Sequence, residues 1–114
     1  MSDLKKSNID IEVLTNENNI PEKIKWTAKE GGVDAASAKA LILSLWDEKD
    51  ATAMRIDLWN KDMTVDEMKK FMHQTLLTIA DTFERATGEK NMSEDLRDYC
   101  HHFADKMGIL PPLS

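Results

Sequence analysis

Apolar and polar residues alternate along three segments in the first half of the chain, as they do in a half-buried strand. This alternation predicts strands around Ile9, Ile24 and Ile56. A fourth segment, residues 40–46, is apolar at consecutive positions. Such a run is compatible with a buried helical turn, but its short length favours a central strand. The DEKD sequence at 47–50 predicts a hairpin between this strand and the next.

Turn-forming residues separate the strands. The Asn-rich segment 16–19 predicts a turn after the first strand. Pro21 is expected at the start of the second strand, where a missing N–H donor is tolerated. Gly31 and Gly32 are expected to end that strand and to open a loop that continues to about Ser37.

From Thr64 to Gly88 the spacing becomes that of one long amphipathic helix. Thr64 and Glu67 have the spacing of a capping box, and Gly88 is suited to a left-handed stop. Asp81 and Arg85 have the spacing of an ion pair. The apolar positions form a face broad enough to cover a sheet. They are Val65, Met68, Phe71, Met72, Leu76, Ile79, Phe83 and Ala86.

A shorter helix is predicted after it, with Ser93 as the N-cap and Gly108 as the stop. His73 of the long helix is expected at the boundary of its apolar face. The apolar stripe of the shorter helix contains Leu96, Tyr99, Cys100, Phe103 and Met107.

Strands followed by helices, without alternation between them, predict an α+β fold. We expect a four-stranded antiparallel sheet followed by a long and a shorter C-terminal helix packed on one face. The order β-β-β-β-α-α is the coarse order of the export chaperone SecB, and an analogy of order does not transfer function. Residues 1–114 are expected to form a single domain, with a flexible N-terminal arm at 1–6 and a C-terminal tail at 109–114.

The net charge of −6 argues against nucleic acid or an anionic membrane surface as the main partner. Cys100 is the only cysteine, so no intrachain disulfide is expected. No apolar run of signal-peptide length follows Lys5 and Lys6, and no run has the length of a membrane span. These features predict a cytoplasmic protein without direct membrane insertion.

The alternation of strands three and four places Leu41, Leu43 and Leu45 on one face, expected to meet the helices. The opposite face then carries two tryptophans and an isoleucine, with an arginine and an aspartate as a polar rim or a cross-subunit pair. Apolar patches of this kind mark protein interfaces, although the rest of the chain could also cover them. The predicted interface residues are Ile42, Trp46, Arg55, Asp57 and Trp59.

Two other clusters contain side chains of the types found in metal and catalytic sites. Asp98 with His102, and His101 with Asp105, have a spacing that suits a divalent metal, but no further ligand from another element is evident. A solvated helix face is the simpler interpretation. Cys100 lies in the apolar stripe, where a buried small side chain is more typical than a nucleophile. We therefore predict no catalytic residue, no metal and no cofactor.

Four segments carry a family resemblance: IPEKIKWTA at 20–28, RIDLW at 55–59, DMTVDEMKKFMHQTL at 62–76 and ADTFERATG at 80–88. With these segments the chain resembles the gliding motility-associated protein GldC family of Bacteroidota, from about Ser7 to Met107. The resemblance implies an accessory role in gliding motility and in the outer-membrane protein secretion machinery linked to it. It carries no active-site motif.

We therefore expect a non-enzymatic interaction protein that binds a protein partner of this machinery or assembles as a homo-oligomer. The alternative is a SecB-like cytoplasmic holdase, which keeps unfolded clients from aggregating on exposed apolar surface. A metal-dependent enzyme that uses the back of the second helix is the third hypothesis.

Overall fold

The computed structural model describes residues 3–109 and shows two compact units, the first ending at Met63 and the second starting at Thr64. All strands lie in the first unit and both long helices lie in the second, which confirms the α+β class. The expectation of a single domain stays a prediction. Of the expected arm and tail, residues 1–2 and 110–114 lie outside the described residues.

Between residues 3 and 63 the first unit contains five strands in two antiparallel sheets, so the expectation of one four-stranded sheet is wrong. The first three strands form one sheet in sequence order, and the last two form a separate pair. The strands are Asp10–Thr15 (β1), Pro21–Ala28 (β2), Val33–Ala38 (β3), Ala40–Asp47 (β4) and Thr52–Trp59 (β5).

The additional strand, β3, lies where a loop was expected. A short 3-10 turn at Lys29–Gly31 and the left-handed Gly32, with φ of 78°, reverse the chain after β2. The reversed segment then pairs with β2, and the Ala35 N–H donates a hydrogen bond of 3.0 Å to Oγ1 of Thr27. Aspartate and alanine are depleted in strands, so the composition of VDAASA conceals a strand that pairing with β2 stabilises.

The turn between β1 and β2 is confirmed. The side-chain oxygen of Asn16 accepts hydrogen bonds from the backbone N–H groups of Asn18 and Ile20, at 2.8 and 3.1 Å. This Asx turn brings Val13 opposite Ile24, a buried apolar residue of this unit.

The second unit contains helix α1, Val65–Thr87, and helix α2, Lys90–Met107. The capping box is confirmed, because the Glu67 N–H donates to Thr64 Oγ1 and the Thr64 N–H donates to Glu67 Oε1, both at 3.0 Å. The predicted stop is also confirmed, since Gly88 has the left-handed φ of 73°.

The two helices pack against each other through small residues. The described residues buried on them are His73, Ala80, Ser93, Cys100 and Ala104. Small side chains let two helix backbones approach closely.

His73 was expected at a boundary and is buried instead. Its ring stacks on Phe103, with ring centroids 6.2 Å apart and an interplanar angle of 18°. Meanwhile Val65 and Ile79, which belong to the predicted broad apolar face of α1, are exposed. The prediction that this face covers a sheet stays a prediction.

Helix α2 begins earlier than expected, at Lys90, so Ser93 is not its N-cap. Ser93 is fully buried in the first turn, and its hydroxyl donates to the carbonyl oxygen of Glu89 at 2.8 Å. Because only Gly88 and Glu89 separate the two helices, α2 begins before Ser93, whose hydroxyl is better suited to capping.

Arg97 of α2 links the two helices. Its guanidinium pairs with Asp81 at 2.9 Å and Glu84 at 2.8 Å, both on α1, and with Glu94 at 3.2 Å. The contacts with Asp81 first and then with Glu84 raise the pKa of Arg97. The predicted pair of Asp81 with Arg85 is therefore wrong, and Arg85 instead donates to Thr82 Oγ1 at 3.3 Å.

Candidate protein interface

The predicted interface residues lie on the hairpin of β4 and β5. The residues of its turn, 47–51, explain why the chain reverses there. The carboxylate of Asp47 accepts from the Asp50 N–H at 2.7 Å, and the Asp47 carbonyl oxygen accepts from the Ala51 N–H at 3.0 Å. Ala51 has a left-handed φ of 50°, which completes the reversal. The hairpin between strands on either side of 47–50 is thus confirmed.

The register of this hairpin places Ile42 opposite Asp57, and Ala40 opposite Trp59. Because residues directly opposite one another share a face, the predicted interface residues all lie on one face of the pair. We call this set the tryptophan face: Ile42, Trp46, Arg55, Asp57 and Trp59.

All five residues of the tryptophan face are exposed, with Trp46 at 71%, Trp59 at 56% and Ile42 at 39%. The two tryptophans do not touch, since Trp46 lies opposite Ala53 at one end of β5 and Trp59 lies at the other, roughly 20 Å along the strand. Between them along β5 lie Arg55 and Asp57, so the two charges lie between the aromatic ends. The face offers two separate aromatic anchors, and its use as an interface stays a prediction.

The opposite side of the hairpin, here called the leucine face, consists of Leu41, Leu43, Leu45, Met54, Ile56 and Leu58. Leu41, Leu43 and Leu58 are half-buried. Leu45 and Met54, next to the turn, and Ile56 are each more than half exposed. Sequence reasoning assigned Leu45 to the covered side and did not identify this second apolar surface, although the apolar run in β4 signalled it.

A small apolar groove of about 180 Å³ lies within the same unit, at the junction of the three-stranded sheet and β4. The third tryptophan, Trp26, lines it and is partly exposed. Its other lining residues are Ile9, Ile11, Ile24, Ala38, Ala40 and Leu41. Sequence reasoning missed this groove, because β3 supplies one of its sides.

The candidate metal ligands Asp98, His101, His102 and Asp105 all lie exposed on α2. The ring of His102 lies 5.8 Å from that of Tyr99, tilted by 49°. Within residues 3–109, no group of three or more His, Cys, Asp or Glu side chains is arranged to hold a metal ion.

Cys100 is buried between the helices. Burial raises the pKa of its thiol, because the charged thiolate loses hydration there. A buried thiol with a raised pKa is a poor nucleophile.

A family model described as gliding motility-associated protein GldC-like matches residues 21–109, from the start of β2 to the end of α2. No curated protein and no solved structure matches the chain. Across the described part of the chain, no helix combines the length and the apolarity that a membrane crossing requires.

Proposed function

Since this chain belongs to the GldC-like family, we propose that it is a non-enzymatic accessory protein of gliding motility that acts by binding other proteins. The family description supports the association with gliding motility. The proposed partner is a protein of the gliding apparatus or of the secretion machinery linked to it. We also propose a cytoplasmic location, with which the unpaired thiol of Cys100 is consistent.

The observation that carries this proposal is the exposure of Trp46 and Trp59 on a sheet of two strands. A buried tryptophan removes about 150–250 Å² of surface from water, and tryptophan, tyrosine and arginine dominate binding energy at interfaces. The tryptophan face combines two such anchors with Arg55. We infer a partner surface with two apolar recesses and polar groups between them that match Arg55 and Asp57.

The test replaces Trp46 with aspartate in the source organism and measures gliding together with the proteins crosslinked to this chain. We expect gliding and specific crosslinks to be lost, because a carboxylate cannot enter an apolar recess without loss of hydration. The free energy of unfolding should change by no more than about 0.5 kcal/mol, as is usual for an exposed position.

Ile79→Asp is the matched control, because Ile79 is 50% exposed and lies on α1, outside the tryptophan face. It introduces the same charge at an apolar position of similar exposure. The proposal fails if Trp46→Asp unfolds the protein, which would make the residue part of the core, or if both variants retain the same crosslinks.

A holdase function is the second candidate, and the exposed part of the leucine face favours it. Leu45, Met54 and Ile56 extend the apolar surface to both sides of the hairpin, which suits unfolded segments of varied sequence. The strand count of five weakens the analogy with SecB from which this hypothesis came. Suppression of the aggregation of an unfolded client protein distinguishes the two, since a scaffold for one partner should not show it.

A further inference from the structure

Strand β5 is an unprotected sheet edge. Among residues 3–109 it is hydrogen-bonded to β4 and to no other strand, so the backbone groups on its other side have no strand partner. Proteins usually protect such an edge with proline, a bulge or charged side chains, most often lysine. The strand TAMRIDLW contains no proline or lysine, and its pairing with β4 has no register shift. Its two charges, Arg55 and Asp57, are opposite in sign and so do not repel a second copy.

We propose that β5 pairs antiparallel with β5 of a second copy of this chain, in the register centred on Ile56. In this register Arg55 lies opposite Asp57 of the partner subunit, and Asp57 lies opposite Arg55 of the partner subunit. Met54 likewise lies opposite Leu58 of the partner subunit. The pairing uses residues 53–59, nearly the whole strand.

The charges select this register over its neighbours. A shift of two residues in one direction places Arg55 opposite Arg55 of the partner subunit. The same shift in the other direction places Asp57 opposite Asp57 of the partner subunit. Like charges directly opposite each other destabilise a strand pair. A shift of one residue instead joins the tryptophan face of one copy to the leucine face of the other.

Arg55 and Asp57 are available for this role. Both are exposed, and neither forms an ion pair with another described residue. Arg55 and Asp57 lie one residue to either side of Ile56, so each can form an ion pair across the strands when β5 of a second copy pairs with this edge.

The other open edges fit a second copy less well. In β1, the registers centred on Ile11 and Glu12 place acidic residues opposite each other, and the pairing with β2 is irregular at Leu14 and Thr15. The outer edge of β4 has no charge at 40–46 that could select a register. The outer edge of β3 has one charge, Asp34, and no opposite charge to pair with it. Among the strand edges within residues 3–109, only β5 combines an open edge with a self-complementary charge pattern.

Pairing at β5 would also stabilise the hairpin, because it enlarges a sheet of two strands. A two-stranded hairpin is marginal in water, and three or more strands are usually required for stability. The dimer contains four strands in the order β4, β5, β5, β4, with both tryptophan faces on one side. This inference does not rest on the proposed function, because it concerns the strand edge and not the face.

The test measures native mass by light scattering over a wide concentration range, for the natural chain and for charge-reversal variants. The natural chain should be a dimer. Arg55→Asp alone and Asp57→Arg alone should each raise the dimer dissociation constant about tenfold or more, because both cross-strand pairs become like-charged. The doubly substituted chain should dimerise as the natural one does.

A mixture of the two single variants gives the sharpest result. Each alone should be largely monomeric, whereas the mixture should form a heterodimer in which every cross-strand pair is again opposite in charge. The proposal is overturned if the natural chain is a monomer throughout, if the single variants dimerise unchanged, or if neither the double variant nor the mixture restores the dimer.

Cysteine crosslinking tests the register should a charge variant fail to fold. Ile56→Cys places a thiol opposite its own copy, so mild oxidation should yield a covalent dimer. Met54→Cys is the control, since the two copies of position 54 would lie about 13 Å apart along the strands. Equal crosslinking at both positions, or none at position 56, would overturn the register.

Discussion

Burial decides the chemistry of individual residues in this protein, and Cys100 is the clearest case. It lies between the two helices with a thiol pKa above its ordinary value of 9.0. We expect the native thiol to react with a small disulfide reagent at pH 8 at least about a hundredfold more slowly than in denaturant, because reaction requires exposure and ionisation. A colorimetric thiol assay with and without denaturant measures both rates, and equal rates would contradict the buried placement.

The same raised pKa predicts a dependence of stability on pH. In the unfolded chain the thiol ionises first as the pH rises, so above about pH 9 the unfolded state gains stability relative to the folded state. The free energy of unfolding should then fall with a slope of at most ~1.4 kcal/mol per pH unit from this group. Denaturant titrations at pH 8 and pH 10 test the sign, and Cys100→Ala should lose this part of the dependence.

Arg97 provides a second prediction for a single residue. Its guanidinium joins carboxylates on both helices, whereas Arg85 contacts only a hydroxyl on its own helix. Arg97→Met keeps the apolar stem and removes the charge, so it should lower Tm by more than Arg85→Met does. Thermal unfolding followed by circular dichroism measures both, and equal values of Tm would mean that the link between the helices contributes nothing measurable.

At the level of elements, the start of α1 follows from local chemistry. Thr64 and Glu67 satisfy each other's backbone N–H groups. Thr64→Ala should therefore cost about 1 kcal/mol of stability, since helix N–H groups lose their acceptor.

The control is Thr78→Ala, at an exposed position inside the same helix where alanine has the higher helix propensity. It should leave the stability unchanged or slightly raise it. Chemical denaturation gives both values, and a loss at position 64 no larger than that at position 78 would contradict the capping role.

At the scale of the whole molecule, net charge and exposed apolar surface act against each other. The chain has a net charge of −6 at pH 7 and an isoelectric point near 5.0. We expect solubility to be lowest near pH 5, because charge repulsion disappears while the apolar faces of the hairpin stay exposed.

Turbidity measured between pH 4 and 8 tests this expectation. Trp46→Asp should reduce the maximum turbidity, since it removes an exposed aromatic anchor, whereas Glu48→Gln should not. A flat turbidity curve for the natural chain would contradict the expectation.

Structural features that depend on residues close together in the sequence were predicted correctly. The alternation in β5, the turn over residues 16–19 and the capping box at Thr64 each depend on neighbours within a few positions, and all three were confirmed. The placement of Trp46 and Trp59 on one face also followed from alternation alone, given the hairpin.

The errors concern long-range contacts. Val33–Ala38 has weak strand propensity and becomes a strand by pairing with β2. His73 is buried because Phe103, on the other helix, stacks on it. Asp81 pairs with Arg97 on the other helix and not with Arg85 on its own helix. The Arg97 guanidinium contacts three carboxylates at once, and two of them lie on α1.

The sequence by itself determined the two helices, the capping box at Thr64 and the stop at Gly88, together with four of the five strands described, the hairpin and the family. Periodicity, capping and motif residues are properties of short segments. Only the tertiary structure decided that the strands divide into two sheets, that the helices pack through small residues, and that β5 keeps an open edge with exposed apolar residues on each face of its hairpin. These features depend on which distant segments pair and which find no partner, and a local pattern carries no information about that.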